Sequence, residues 1–389
     1  MKFIFFANTD WYLYNFRLST ALQLKARGDE VVMLSPPGDF GARFAEHDIR
    51  WITLPMDRAS LNPAREALTL KALVRVLKAE RPDLLHNFTV KCAVYGALAA
   101  RVAGVPAVVN AVAGMGYVFT SDQFKARALR PIVRMLMRGT LGSGHTRLIL
   151  QNPDDANAFV SSQLVPSKMI RVIRGSGVDT NRFRPAVRDE ASGRRPLRVL
   201  LAARLLWEKG IREYVDAAAR LREQGRQIEC MLAGMPDPGN PGSVAREDVE
   251  HWQRQGLIRW LGHVEDMPDL LSTVDVMALP SYYREGVPRS LLEAAACGLA
   301  LVTTDLPGCR EVVTRHGIDG LHVEPRDAVS LARLLEQLDD DRELLRRLGD
   351  NARQKVLVDF DERLVIEKTI EVYAELLSAF PRAAQAVVS

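Results

Sequence analysis

Two acids and two bases in the second half of the chain carry the chemistry that its residue types and spacing suggest. Glu285 and Glu293 stand eight residues apart in SYYREGVPRSLLEAAACGLALVTT, and Arg204 and Lys209 stand five apart in AARLLWEKG. Ser290 and Glu293 have the spacing of a capping box, which predicts a helix start near Ser290 and a stop at Gly298. A helix that starts at the mouth of a parallel sheet offers free backbone N–H groups and a positive dipole end to an anion. An acidic residue beside such a site disfavours phosphate but accepts hydrogen bonds from hydroxyls. A phosphate site flanked by two hydroxyl acceptors suits a nucleotide sugar. Arg204 and Lys209, at a strand end and a helix start, can neutralise a diphosphate and stabilise the charge it gains on leaving. Each feature also has a plainer reading: two solvated cations, a capping glutamate and a turn carboxylate.

These residues need a sheet edge to converge on, and the chain supplies strands and helices in alternation. KFIFFA, DEVVMLSP, IRWITLP, DLLHNF, AVVNAVAG and LILQ read as strands of a first unit, with LTLKALVRVLKAERP and KCAVYGALAARVAGVP as helices between them. RVIRGSGVDTNRFRP ends that unit in a Gly-rich turn, and VRDEASGRRP reads as a linker. PLRVLLAA, IECMLAG, LIRWLGHV, DVMALPS, LALVTT and LHVEP then repeat the pattern, and the chain is helical from about Asp327. Strand–helix alternation of this kind builds doubly wound parallel sheets. The predicted class is α/β: two Rossmann-like domains, 1–187 and 196–365, with an interdomain cleft.

Composition narrows the field. A chain of 389 residues with 47% hydrophobic and 26% charged content is an ordinary globular protein of two domains. Its four cysteines form no CxxC pair, which suggests reduced thiols in the cytoplasm. The short apolar start MKFIFFANTD reads as a strand rather than a signal peptide, and no run reaches the length of a spanning helix. The net charge of +4 is unevenly placed. Residues 1–190 hold 26 Lys+Arg against 16 Asp+Glu, and the remainder 26 against 32. A basic first half suggests an anionic surface or substrate. No nucleic-acid-binding signature accompanies it, so nucleic acid is not an expected partner.

Within that basic half, QFKARALRPIVRMLMR places Arg127, Arg130, Arg134 and Arg138 on one helical face, with Pro131 either starting or kinking the helix. It reads as a solvated basic face or as a surface for anionic lipid headgroups. Trp11, Tyr12, Tyr14 and Phe16 either pack the first helix or wall an acceptor site at the strand ends. His86, after a buried strand, is as readily a core histidine as a site residue. Asp154–Asp155 and Asp339–Asp341 lack metal spacing, and no metal site is expected. The phosphate-loop, nucleophile-elbow and dinucleotide-binding glycine motifs are absent, which disfavours kinase, serine hydrolase and dehydrogenase chemistry.

EGVPRSLLEAAACGLALVTTDLPGCREVV resembles the E-x7-E segment of the retaining glycosyltransferases of family 4, which have the GT-B fold. ARLLWEKGI is similar to that family's donor-phosphate motif, and GSGVDTNRFRP to its turn at the domain junction. HNFTVK, AVAGMGYVF and EGVPRSLLE resemble the bacterial subgroup that adds a sugar to undecaprenyl-diphosphate-linked glycans in capsule, O-antigen and N-glycan assembly. The resemblance implies roles. Glu285 and Gly286 would face the donor sugar, and Glu293 would bind the ribose hydroxyls. Arg204 and Lys209 would hold the donor diphosphate. Backbone N–H groups of Arg289, Ser290 and Leu291 would cap it, and main-chain groups near Val264 would read a uracil base. It also implies retention of configuration without an obligatory metal or other cofactor, and a terminal helix of about 366–389 packed back on the first domain. Two departures fall on the acceptor side: Asn8–Thr9–Asp10 replaces the family's Gly-Gly loop, and Asn110–Gly114 replaces a region that often holds a histidine. Asn15, Arg17, His86 and Lys91 are the acceptor candidates.

The expected protein is a retaining, metal-independent hexosyltransferase. It would move a hexose or N-acetylhexosamine from a UDP-sugar to a membrane-linked undecaprenyl-diphosphate glycan, from a peripheral position on the inner membrane face. A nucleotide-sugar isomerase resembling a 2-epimerase, or a non-catalytic sugar-nucleotide-binding protein, would share the donor residues.

Overall fold

The computed structural model describes residues 1–57, 60, 62–113, 124–142, 144–186, 195–237 and 239–379, with backbone only for 124–130 and 132. Most of the charged stretch expected to link the domains lies outside the described residues. The chain divides into two compact units, Met1–Ser176 with Val365–Ser389, and Gly177–Leu364.

The first unit is built on seven parallel strands: β1 (Lys2–Phe6), β2 (Glu30–Ser35), β3 (Arg50–Thr53), β4 (Leu84–Phe88), β5 (Ala107–Val112), β6 (Thr146–Leu150) and β7 (Ile170–Val172). Their order is β3-β2-β1-β4-β5-β6-β7. The strands read as continuous apolar runs because helices cover both faces. Phe3, Phe5 and Leu84 face one buried cluster, and Ile4, Phe6 and Leu85 the other. The short strand β7 falls where the sequence suggested only a turn.

Helix entries in this unit follow capping chemistry. Thr9 Oγ1 accepts from Tyr12 N–H at 3.2 Å to start Asp10–Ala26, and Asn152 Oδ1 accepts from Asp155 N–H at 2.7 Å to start Pro153–Ser161. The Asn8–Thr9–Asp10 departure thereby gains a structural role. The Asp10 carboxylate is buried and accepts backbone N–H bonds from Trp11 (2.8 Å), Phe40 (2.7 Å) and Gly41 (2.8 Å), tying the first helix to the loop after β2. The last helix, Glu362–Ala379, supplies Val365, Val372, Tyr373 and Leu376 to this unit's core.

The second unit holds six parallel strands: β8 (Leu197–Ala202), β9 (Ile228–Ala233), β10 (Arg259–Gly262), β11 (Val276–Leu279), β12 (Ala300–Thr304) and β13 (Leu321–Val323). Their order is β10-β9-β8-β11-β12-β13. The turn Gly177–Phe183 groups with this unit, where Val178 N–H donates to Phe360 O at 3.0 Å and Thr180 Oγ1 donates to Asp361 Oδ2 at 2.5 Å.

Both sheets reverse strand order once, between β1 and β4 and between β8 and β11. In open parallel sheets such a reversal parts the loops at the carboxyl ends of the strands and leaves a ligand-sized crevice there. Side chains on those loops are the ones the fold positions for chemistry.

Candidate functional site

Three loops of the second unit meet beyond the carboxyl ends of β8, β11 and β12. After β8, the turn Trp207–Lys209 ends on Gly210 (φ 79°), which starts the helix Ile211–Glu223. A Cβ at Gly210 would stand 2.3 Å from Pro280 O, so only glycine lets this turn press on the loop after β11. The contact is then fastened by hydrogen bonds. Glu208 O accepts from the N–H groups of Tyr282 (3.0 Å) and Tyr283 (3.2 Å). After β12, a Cβ at Gly308 would overlap Gly286 O at 1.7 Å, and Thr304 Oγ1 donates to Ser281 O at 2.6 Å.

This clamp sets Glu285 against Lys209. The two side chains form a short ion pair, with Glu285 only 7% exposed. Ser281 Oγ lies 2.9 Å from the same carboxylate oxygen, and the Tyr283 ring lies 5.7 Å from the Lys209 ammonium. The pair sits at the β8/β11 reversal, where ligand chemistry is expected. Around it, burial raises the Glu208 carboxyl above its usual range against the pull of Lys209, and burial pushes the Cys309 thiol up to about 12.

The helix after this loop runs Arg289–Ala296 and begins differently from the sequence reading. Pro288, at φ −64°, takes the N-cap position and no side chain caps the helix. Ser290 therefore lies inside the first turn, and the capping box with Glu293 does not form. Glu293 Oε1 instead accepts from Arg289 Nε at 2.8 Å, one turn away. Burial raises its pKa, with Arg289 and Arg182 opposing the rise. Relieved of capping, Glu293 keeps its carboxylate on Arg289, with the Arg182 charge acting on it as well. The first N–H groups of the helix, including those of Ser290 and Leu291, have no intrahelical acceptor.

Arg204 stands apart from this cluster. It is largely exposed and donates to Asp237 Oδ2 at 2.9 Å, in the loop after β9. Val264, past β10, is half-buried against the core beneath the sheet. The structure thus brings Lys209, Glu285 and Gly286 together and keeps Arg289, Ser290, Leu291 and Glu293 on the adjoining helix. Sequence reasoning missed Ser281, Tyr283, Thr304, Asp237 and the two contact glycines. The turn glycines of EKG and LPG were the available signal.

Two family models match the chain, one in each half: "Glycosyl transferase 4-like" over residues 2–151 and "Glycosyl transferases group 1" over 186–355. The chain belongs to these glycosyltransferases. Among curated relatives, the N,N'-diacetylbacillosaminyl-diphospho-undecaprenol alpha-1,3-N-acetylgalactosaminyltransferase of Campylobacter jejuni is 29% identical over 97% of this chain and 99% of its own. The UDP-Gal:alpha-D-GlcNAc-diphosphoundecaprenol alpha-1,3-galactosyltransferase of Escherichia coli is 24% identical over 86% of each. Among solved structures, HepE of Anabaena in complex with UDP-glucose aligns with a TM-score of 0.77, at 20% identity over 96% of this chain and 100% of that one. The sucrose-phosphate synthase of Thermosynechococcus elongatus reaches 0.81, at 20% identity over 97% of this chain and 100% of its own. The fold is the GT-B glycosyltransferase fold, with two Rossmann-like parallel-sheet domains.

In the first unit of this glycosyltransferase, the four acceptor candidates separate. Arg17 and His86 converge on Phe88. The Arg17 guanidinium carbon lies 4.5 Å from the centre of that ring, and the His86 ring 4.0 Å from it. His86 is 1% exposed, and its Nδ1 lies 2.6 Å from Tyr373 Oη. Burial, helped by the Arg17 charge, holds its pKa well below the usual histidine value, so it is neutral at physiological pH. Lys91 is bound to Asp57 O (2.7 Å), Ser60 O (3.1 Å) and Glu66 Oε1 (2.9 Å) and anchors a loop. Asn15 Nδ2 donates to Trp11 O at 3.0 Å within its own helix.

The basic segment forms one helix, Phe124–Leu141, with Pro131 inside it rather than at its start. The side chains of Arg127 and Arg130 lie outside the described residues. Arg134 is exposed, and Met135 beside it is 66% exposed. Arg138 departs from a purely free face: its guanidinium donates to Gln163 O (2.9 Å) and Ser162 O (3.1 Å). Among the described residues no cluster of His, Cys, Asp and Glu could hold a metal, and no helix is long and apolar enough to cross a membrane.

Proposed function

We propose that this glycosyltransferase moves a hexose or N-acetylhexosamine from a UDP-sugar, with retention of configuration, to an undecaprenyl-diphosphate-linked glycan. The observation that carries the donor half is the Lys209–Glu285 pair at the β8/β11 reversal, beside the start of the helix Arg289–Ala296. The acceptor half is supported by the two relatives whose names specify diphospho-undecaprenol acceptors. Both names also specify an α-1,3 linkage, and an α product from an α-configured UDP-sugar is retention.

The chemistry follows from charge. The bond between the sugar's C1 and the diphosphate oxygen breaks as the acceptor hydroxyl approaches C1 from the same face. The acceptor's proton passes to the departing diphosphate oxygen. Charge grows on the diphosphate as the bond lengthens, so fixed positive groups stabilise the transition state more than the ground state. Lys209 is such a group, and the helix N–H groups at Ser290 and Leu291 add to it. Arg204 joins them by leaving Asp237 or by swinging with it. Glu285, held by Ser281 and Lys209, accepts from the donor sugar's hydroxyls. Glu293 accepts from the ribose, and main-chain groups near Val264 read the base. Because these groups neutralise the leaving charge, transfer is expected to persist in the presence of a chelator.

The membrane-linked acceptor suggests peripheral attachment through the helix Phe124–Leu141. The Arg127/Arg130/Arg134/Arg138→Ala variant is expected to lose sedimentation with anionic liposomes; equal sedimentation refutes this attachment. The whole reading is tested by incubating the enzyme with UDP-, GDP- and ADP-sugars and a diphosphate-linked N-acetylglucosaminyl lipid, and assigning the new linkage by NMR. An α-linked product from a UDP-sugar is expected. A GDP-sugar preference, a β linkage, or donor turnover that needs no acceptor would overturn it.

A further inference from the structure

The first unit has its own strand reversal, between β1 and β4, and the polar groups there are balanced differently. Arg17 projects from the second turn of Asp10–Ala26 back toward the start of that helix, as long helical side chains do. It is 6% exposed. Its Nη2 donates to Tyr12 Oη at 2.8 Å, and its flat face lies over the Phe88 and Tyr12 rings, 4.5 Å and 5.5 Å from their centres. Its Nε has no hydrogen-bond partner. Among the described residues no carboxylate pairs with it.

A guanidinium cannot shed its charge, and burying one without a counter-ion is unfavourable. Among the described residues the immediate surroundings supply no negative charge. His86 is neutral, and burial pushes the Tyr373 hydroxyl up, so it too is neutral. The rings accept the face of the guanidinium and leave its edge without an anion. Beside it, Phe16 stacks on Tyr12 (5.1 Å) and meets Trp11 edge-on (5.3 Å), and Trp11 is 43% exposed. An apolar shelf therefore adjoins a cation that lacks its partner.

The geometry points to Arg17 as the anion-recognising residue of the first unit, binding a diphosphate ester whose non-ionic part lies on the Trp11–Phe16 shelf. That an anion binds rests on Arg17 and its surroundings. That the anion is a diphosphate ester rests on the acceptor proposed above. Tyr12 and Phe88 position the guanidinium, and the planar fork suits paired phosphate oxygens in a way that a lysine would not.

The test uses the full chain in an Arg204→Ala/Lys209→Ala background, which removes the two cations proposed above to hold a diphosphate in the second unit. Geranyl diphosphate and inorganic pyrophosphate are titrated by calorimetry, with melting temperatures recorded in parallel. The background protein is expected to bind geranyl diphosphate, more tightly than pyrophosphate. Adding Arg17→Met is expected to weaken binding at least about tenfold, and Arg17→Lys to retain part of it. Arg17→Met is also expected to melt no lower than its parent, because it removes an uncompensated charge and keeps an apolar stem. Equal affinity with and without Arg17 overturns the proposal. So does the absence of diphosphate binding to the parent, or a lower melting temperature with affinity unchanged. Pyrophosphate binding more tightly than the ester overturns the ester assignment. UDP binding to the unsubstituted enzyme, measured alongside, reports the donor reading separately, so either can fail alone.

Discussion

The two strand reversals solve opposite electrostatic problems. At β8/β11 a lysine and a glutamate from different loops neutralise each other, and a serine hydroxyl shares the carboxylate. At β1/β4 an arginine is buried against aromatic rings, and among the described residues no acid pairs with it. The first edge is internally compensated, so a ligand there must compete with an existing partner or share it. The second edge is incomplete, so a ligand there supplies what the fold leaves out. The difference suggests that the donor edge is built for exchange, in which Lys209 trades between Glu285 and a diphosphate over the reaction. The other edge is built for holding.

The largest expected effect tests the compensated edge. Lys209→Ala should lower kcat for transfer by roughly 10²–10³-fold, the usual cost of removing one group that stabilises developing charge. It also leaves Glu285 buried and unpaired, so its melting temperature should fall. Lys209→Met/Glu285→Gln removes both charges. It should recover much of that stability and none of the activity; recovered activity would show that the pair is structural. Glu293→Gln comes next. If Glu293 receives ribose hydroxyls, the KM for the UDP-sugar should rise about tenfold, equivalent to ~1.4 kcal/mol, with kcat little changed. An unchanged KM would confine Glu293 to its bond with Arg289.

The smallest effect concerns the uncompensated edge. The folded pKa of His86 is depressed, so below about pH 6.5 the unfolded chain takes up a proton that the folded chain refuses. Its contribution to stability is complete above that pH and is lost as pH falls, by at most about 1.4 kcal/mol per pH unit. His86→Gln should flatten the fall in melting temperature between pH 6.5 and 5.5. A slope identical to that of the unsubstituted protein would mean that His86 is not buried neutral.

The sheets were readable in the sequence because buried parallel strands are unbroken apolar runs between turn residues, as in FIFF, VVML and ALVTT. The four charged residues proposed for the donor site were readable as types at a spacing. Their pairing was not. Lys209 and Glu285 are 76 residues apart, and only the strand order brings β8 beside β11. The capping box failed for a local reason: Pro288 takes the N-cap position, so Ser290 falls inside the first turn, and the nearby Arg289 claims Glu293. In the first unit, His86 could be read as a core histidine or as a site residue, because the residue that covers it, Tyr373, arrives 287 positions later. Asn8–Thr9–Asp10 read as a missing glycine loop, while its role as a cap and a loop tie depends on Phe40 and Gly41.

The late arrival of Tyr373 also bears on how the protein is made. On the ribosome the first unit emerges early, yet its core lacks Val372, Tyr373 and Leu376 until the last helix has been synthesised. The second unit draws on no residue beyond Leu364, so it can close while its older neighbour is still incomplete. The half translated first would then be finished last, and until Tyr373 arrives Phe3 and His86, which it covers, would lack that cover.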